Sequence, residues 1–329
     1  MDLKDNFQRR KFLVTGGAGF VGSHISEALL NLGANVVVLD DLSGGTTSNL
    51  PRSGKLKFVK ADIRSFDLEK LGKLDGIFHE ACRTIVPSFQ EPISDLEVNA
   101  GGTVRVLEFA RRSKIKVIHA SSASVYGDPV SSPIKENHPL KPLAPYGVSK
   151  LAAENYCVMY QTVYGVDVPI LRYFNVFGER QEIGEEKAVI PFFTSQALKG
   201  KPILVHGDGL QSREFLHVSD AVKANLRAYT TEKISGIPIN IGSSGNEITI
   251  LDLAKKIIKL TGSKSEIRHM PPKLGDIKGR SADTTRAEKL LGHISTVTLN
   301  EGLKEYVDHA MKTVSHEYST KGRLRMEVN

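Results

Sequence analysis

Three glycines spaced by three, Gly16, Gly19 and Gly22, follow an apolar run at 11–15 and precede a stretch where Val21, Ile25, Ala28, Leu29 and Leu32 recur at helical spacing. A strand that turns on glycines straight into a helix opens a βαβ unit, which commits the chain to a parallel sheet covered by helices. Gly33 stands where that helix should stop. Further β-type runs at 35–39, 56–60, 76–79, 116–120 and 168–173 alternate with helical patterns. The alternation predicts an α/β fold with a doubly wound parallel sheet over residues 1–175.

Beyond Asn175 the alternation weakens, and Pro191, Pro202, Pro238 and Pro271-Pro272 interrupt shorter elements. Helical spacing returns at 219–231, 251–260 and 300–311. Residues 176–329 are therefore expected to form a smaller α/β lobe, completed by short returns to the sheet. Packed over the sheet's carboxyl edge, such a lobe leaves a cleft where ligands of these sheets bind.

The glycine turn, Gly16 to Gly22 with Phe20 and Val21 opening the helix, suits a dinucleotide. Glycines let a pyrophosphate approach the helix N-terminus, where free N–H groups and the helix dipole favour an anion. Asp40 closes the second β-type run, where a carboxylate can accept hydrogen bonds from an adenosine ribose. A 2′-phosphate there would meet both Asp40 and Asp41, and no Arg or Lys follows closely. The pattern therefore predicts NAD rather than NADP.

Tyr146 and Lys150 sit four apart, on one helical face, so the ammonium can lie beside the phenol. A phenol has a reference pKa of about 10, and bringing it down by ~3 units takes about 4 kcal/mol of preferential phenolate stabilisation. An adjacent cation and a cationic cofactor are the available sources. Ser121 to Gly127, with Ser121, Ser122 and Ser124, follows the 116–120 strand, so its hydroxyls emerge at the same edge. Hydroxyl, phenol and ammonium together read as machinery for oxidising an alcohol.

Bulk properties exclude other classes. The 329 residues, 40% hydrophobic and 25% charged, provide for a large core. The net charge of +7 is spread along the chain without an aromatic-interleaved basic stripe, so nucleic acid is not expected as a partner. No apolar run approaches the ~20 residues of a membrane span. The start, 1–11, does not resemble a secretory signal. Cys82 and Cys157 form no CxxC or Cys/His cluster, so neither a disulfide framework nor a metal is expected. These features point to the cytoplasm.

In several stretches the chain resembles the extended short-chain dehydrogenase/reductase family, and within it the nucleotide-sugar 4-epimerases of the UDP-glucose/UDP-galactose type. The stretches are TGGAGFVGSH from Thr15, LDDLSGG from Leu39, HEA from His79, SSASVYGD from Ser121, PYGVSKLAAE from Pro145, LRYFNVFGERQ from Leu171 and GDIKGRSAD from Gly275. The resemblance implies a Rossmann-type sheet and a homodimer pairing helices near 93–112 and 146–164. It implies Tyr146 as base, Lys150 as pKa-lowering cation and ribose ligand, and Ser122 as partner of the sugar 4-hydroxyl. Asp62 and Ile63 would hold the adenine, and Ala81, Asn99 and Tyr173 would line the NAD. The UDP-sugar would be held by Asn175 and Arg213 at its diphosphate, Val189 and His206 near the base, and Asp276 near the ribose.

Two departures from the family pattern bear on the substrate. Lys273-Leu274-Gly275-Asp276 stands where the family usually has Arg-Pro-Gly-Asp, so a point charge replaces a bidentate phosphate ligand. Arg280 occupies a position that in the family gates sugar size; it can close the pocket by bulk, pair with a C6 carboxylate, or turn to solvent. UDP-GlcNAc and UDP-glucuronate therefore remain alternatives to UDP-glucose and UDP-galactose. The related dehydratases and decarboxylases carry a Glu at position 124, and this chain has Ser124. A protein that merely senses NAD would tend to lose Tyr146 or Lys150, and both are present.

Overall fold

The computed structural model describes residues 3–182, 188–243, 245, 247–272 and 279–326, with side chains described as far as residue 313. The first half runs β1 (Lys11–Thr15), α1 (Phe20–Asn31), β2 (Asn35–Asp40), β3 (Leu56–Lys60) and β4 (Gly76–His79). It continues through α2 (Ile85–Gln90), α3 (Pro92–Leu96), α4 (Gly102–Ser113), β5 (Lys116–Ser122), α5 (Pro145–Tyr164) and β6 (Ile170–Tyr173). The second half holds β7 (Val176–Phe177), α6 (Val189–Leu198), β8 (Ile203–His206), β9 (Ser212–Glu214), β10 (Leu216–His217) and α7 (Val218–Thr230). After these come β11 (Pro238–Ile241), β12 (Glu247–Thr249), α8 (Ile250–Thr261), β13 (Ile267–Met270), α9 (Thr285–Leu291) and α10 (Leu299–Met326).

Seven strands form one parallel sheet in the order β11-β6-β5-β4-β1-β2-β3. The order reverses after β1, and the crevice at that switch point is where such sheets take their ligands. Val36 to Leu39 are buried on both faces, as the strands of a helix-covered parallel sheet must be. One core layer joins Phe12, Val14, Ile25, Leu29 and Phe78 to α7, and the other joins Leu13, Ile77, Val106 and Val117 to α5. Each fully buried side chain of this kind contributes roughly 1.5–3 kcal/mol.

The second half has its own core of Phe177, Phe193, Leu253, Leu303 and Tyr306, yet it also returns β11 to the sheet beside β6 and packs α7 against α1. Sequence periodicity locates α7 and α8 to within a residue. The last helix, expected over 300–311, runs on to Met326, because its later turns carry charge rather than an apolar stripe for a periodicity argument to detect. Among the described residues no helix is long and apolar enough to cross a membrane.

Candidate active site

The glycine turn joins β1 to α1 at the carboxyl edge of the sheet. Gly16 has φ +64°, and a Cβ there would lie 2.7 Å from the Ala81 backbone, so only glycine lets the β1 and β4 loops close together. A Cβ on Gly22 would drive into the Gly16 carbonyl. Gly19 begins α1 without any side-chain cap, which leaves the first N–H groups of the helix available to an anion. Asp40 is 7% exposed, and its carboxylate accepts from Ala18 N at 3.0 Å and Leu42 N at 2.8 Å. Burial nevertheless holds its pKa above the usual carboxylate value. This cradle, with an acid at its rim, fits a dinucleotide whose ribose donates to Asp40.

The other residues expected around the cofactor show what their side chains are doing. Asp62 engages Arg64 with both oxygens, the shortest contact being 2.6 Å, and Ile63 turns its side chain into the core against Gly102. Ile63 therefore has only its backbone to offer an adenine. The Ala81 N–H donates to Thr15 Oγ1 at 3.3 Å. Asn99 is 1% exposed; its amide donates to Ser149 Oγ at 2.9 Å and Asp95 at 2.8 Å while its oxygen accepts from Arg83 N at 2.8 Å. It thus ties the β4 loop to α5. Tyr173 Oη donates to Glu80 at 2.9 Å and accepts from Asn225 at 2.7 Å.

Ser122, Tyr146 and Lys150 converge at this edge. Pro145 fixes the first turn of α5, so Tyr146 starts the helix facing the cleft and Lys150 follows one turn later. Lys150 is 3% exposed; its Nζ donates to Ala120 O at 2.8 Å and lies 5.9 Å from the Tyr146 ring centroid. Burial pushes the Tyr146 phenol well above its ordinary pKa, and Cys82, Asp95 and Glu80 oppose the phenolate as well, while a hydrogen bond with Ser122 works the other way. Cys82, which the sequence presents as an ordinary thiol, therefore sits within electrostatic reach of the phenol.

A buried polar network holds these groups in place, and pattern reading gave its members no role. Glu154 on α5 pairs with Arg172 on β6 at 2.6 Å, both essentially inaccessible, and also accepts from Ser121. Arg172 donates to Tyr126 Oη at 2.8 Å, which in turn donates to Asn240 on β11 at 2.6 Å. The serine turn, the tyrosine helix and two strands are fastened by one ion pair and the polar groups bonded to it. Lone Glu and Arg residues inside SKLAAE and LRYFN carry no local signal of such pairing. His79 likewise serves the frame, bridging Thr15 at 2.7 Å and Thr103 at 3.0 Å, with burial lowering its pKa to about 3.

The second half supplies a cavity of about 340 Å³ lined by Asn175, Val189, His206, Arg213, Phe192 and Phe215, among others. Four of these were expected at the nucleotide-sugar. Asn175 donates to Glu214 O at 2.8 Å, His206 contacts Pro271 O at 3.0 Å, and Arg213 Nη1 donates to Ser212 O at 2.7 Å. Arg280 does not line this cavity; its Nη2 donates to Gly127 O at 3.0 Å. Lys273 and Asp276 lie outside the described residues.

A profile of the NAD dependent epimerase/dehydratase family matches residues 12–242. The chain belongs to that family. A UDP-glucose 4-epimerase of Mycolicibacterium smegmatis is 39% identical over 305 residues, covering 90% of this chain and 97% of the relative. A UDP-glucuronic acid decarboxylase 1 of Danio rerio is 34% identical over 319 residues, covering 94% of this chain and 74% of that one. The UDP-glucose 4-epimerase of Thermotoga maritima, solved with UDP-glucose, superimposes with a TM-score of 0.88 at 34% identity, covering 92% of this chain and 99% of its own. Members of this family of Rossmann-type proteins use NAD, and the glycine cradle with Asp40 fits that cofactor.

Proposed function

We propose that the protein interconverts UDP-glucose and UDP-galactose by NAD-dependent inversion at C4 through a transient 4-keto sugar. The observation that carries the reading is the meeting of Ser122, Tyr146 and Lys150 at the sheet edge that also bears the glycine cradle. Bound NAD supplies a hydride acceptor that returns the hydride, and in its oxidised form a positive charge. Ser122 orients the 4-hydroxyl, and Tyr146 takes its proton and gives it back from the other side of the cycle. Because burial holds the phenol protonated, Lys150 and that added charge are needed for the proton to leave. The sugar turns over within the site while Asn175 and Arg213 keep hold of the diphosphate.

Elimination and decarboxylation are disfavoured by the absence of a carboxylate at Ala123 and Ser124. UDP-GlcNAc and UDP-glucuronate are the substrate alternatives, and NAD sensing without turnover is the non-enzymatic one. Incubating the purified protein with a panel of UDP-sugars and separating the products decides among them. UDP-galactose should give UDP-glucose; no 4-epimer from any sugar would remove the reading.

The working form is proposed to be a cytoplasmic homodimer. Ile93 on α3 is 73% exposed and Val163 on α5 is 62% exposed, on helices that pack side by side, so a second copy would cover both. Ile93→Glu should yield monomers by light scattering.

A further inference from the structure

Arg213 and Arg280 are brought near one another by the hydrogen bonds of Glu214, the residue that follows Arg213. Glu214 is fully buried; its side chain accepts from Ser243 N and from Ala282 N, the latter at 2.6 Å, and its own N–H donates to Arg280 O at 3.3 Å. The chain around 280–282 is thereby stitched to β9, which carries Arg213. The Arg280 side chain is half-buried, with Nη2 on the Gly127 carbonyl at 3.0 Å and Nε enclosed without a partner. It forms no ion pair among the described residues. Burial and then the charge of Arg213 work against the guanidinium and hold its pKa down to about 10, with Asp128 only partly offsetting them. An enclosed cation that feels a second cation and has no ion-pair partner among the described residues is costly unless an anion enters beside them.

The location says which anion. Gly127 ends the turn that begins at Ser122, and Arg213 lines the cavity of the second half; Arg280 touches the first and lies within electrostatic reach of the second, so a group that spans the two is within its reach. We propose that Arg280 is the second guanidinium of the phosphate clamp, binding the phosphate that carries the sugar, with Gly127 holding one edge of its planar fork and the phosphate the other. This rests on the nucleotide-sugar reading above. It gives Arg280 the bidentate contact that Lys273, a point charge, does not offer.

The test is calorimetry of UDP and UMP binding to the NAD-loaded protein and to its Arg280→Met and Arg280→Lys variants, with KM measured for UDP-galactose, UDP-GlcNAc and UDP-glucuronate. Arg280→Met should weaken UDP about tenfold or more, Arg280→Lys should recover part of that, and UMP, which lacks the second phosphate, should change little. KM should rise alike for all three sugars. Equal weakening of UDP and UMP, or of neither, would overturn the assignment. So would a loss confined to UDP-glucuronate, which assigns Arg280 to a carboxylate, or a gain in UDP-GlcNAc turnover at unchanged UDP affinity, which makes it a gate. If the unmutated protein bound no UDP, the nucleotide-sugar reading would fall together with the clamp.

Discussion

The two halves of the site are built in different ways. At the sheet edge, Ser122, Tyr146 and Lys150 leave regular elements, and a buried ion pair, Glu154 with Arg172, extended by the polar groups of Tyr126 and Asn240, fixes those elements to one another. In the second half, Asn175 and Arg213 project from short strands and loops, and their support is mostly backbone hydrogen bonds gathered on Glu214. Proton transfer tolerates little misplacement, which suits a frame of buried side chains, whereas holding a diphosphate asks for guanidinium and amide groups placed by the backbone.

Substitutions on either side test that division. Tyr146→Phe should lower kcat by roughly 10²–10⁴-fold with NAD still bound, because the phenol oxygen moves the proton and adds little cofactor affinity. Steady-state kinetics with a cofactor assay would show it. Glu154→Ala should cost about 3–5 kcal/mol of stability, since Arg172 would remain buried without a counter-ion. Thermal unfolding should show the loss, and an unchanged Tm would mean that the network is not what fixes the edge. Glu214→Gln should act on the other half alone, weakening UDP about tenfold by calorimetry while NAD affinity is kept. A matching loss of NAD would erase the distinction between the halves.

How much of this was legible in the sequence follows the same line. The glycine spacing, Asp40 and the Tyr146–Lys150 interval are local patterns tied to strand and helix periods, and the sheet appears where they place it. The pairing of Glu154 with Arg172 and of Glu214 with Ala282 joins residues 18 and 68 apart, and no local pattern announces such contacts. Asp62 and Asn99 illustrate the reverse, since their motif positions are visible but Arg64 and Ser149 had to be seen to know what the side chains touch.

A further expected effect concerns pH. Burial beside Tyr173 raises the Glu80 pKa to about 7 from an unfolded value of 4.5, so between these values the folded chain holds a proton that the unfolded chain has lost. Stability contributed at this site should thus be greatest below the unfolded pKa, fall as pH rises towards about 7, and then level off. Glu80→Gln should flatten that slope in denaturant titrations across the range, and a slope unchanged by the substitution would place its origin elsewhere.

The central claim is that hydride leaves C4 and returns to C4 within one site while Tyr146 handles the proton. UDP-galactose carrying deuterium at C4, incubated with the NAD-loaded protein in ordinary water, should give UDP-glucose that retains deuterium at C4 by mass spectrometry. Product whose label has washed out into solvent would contradict it.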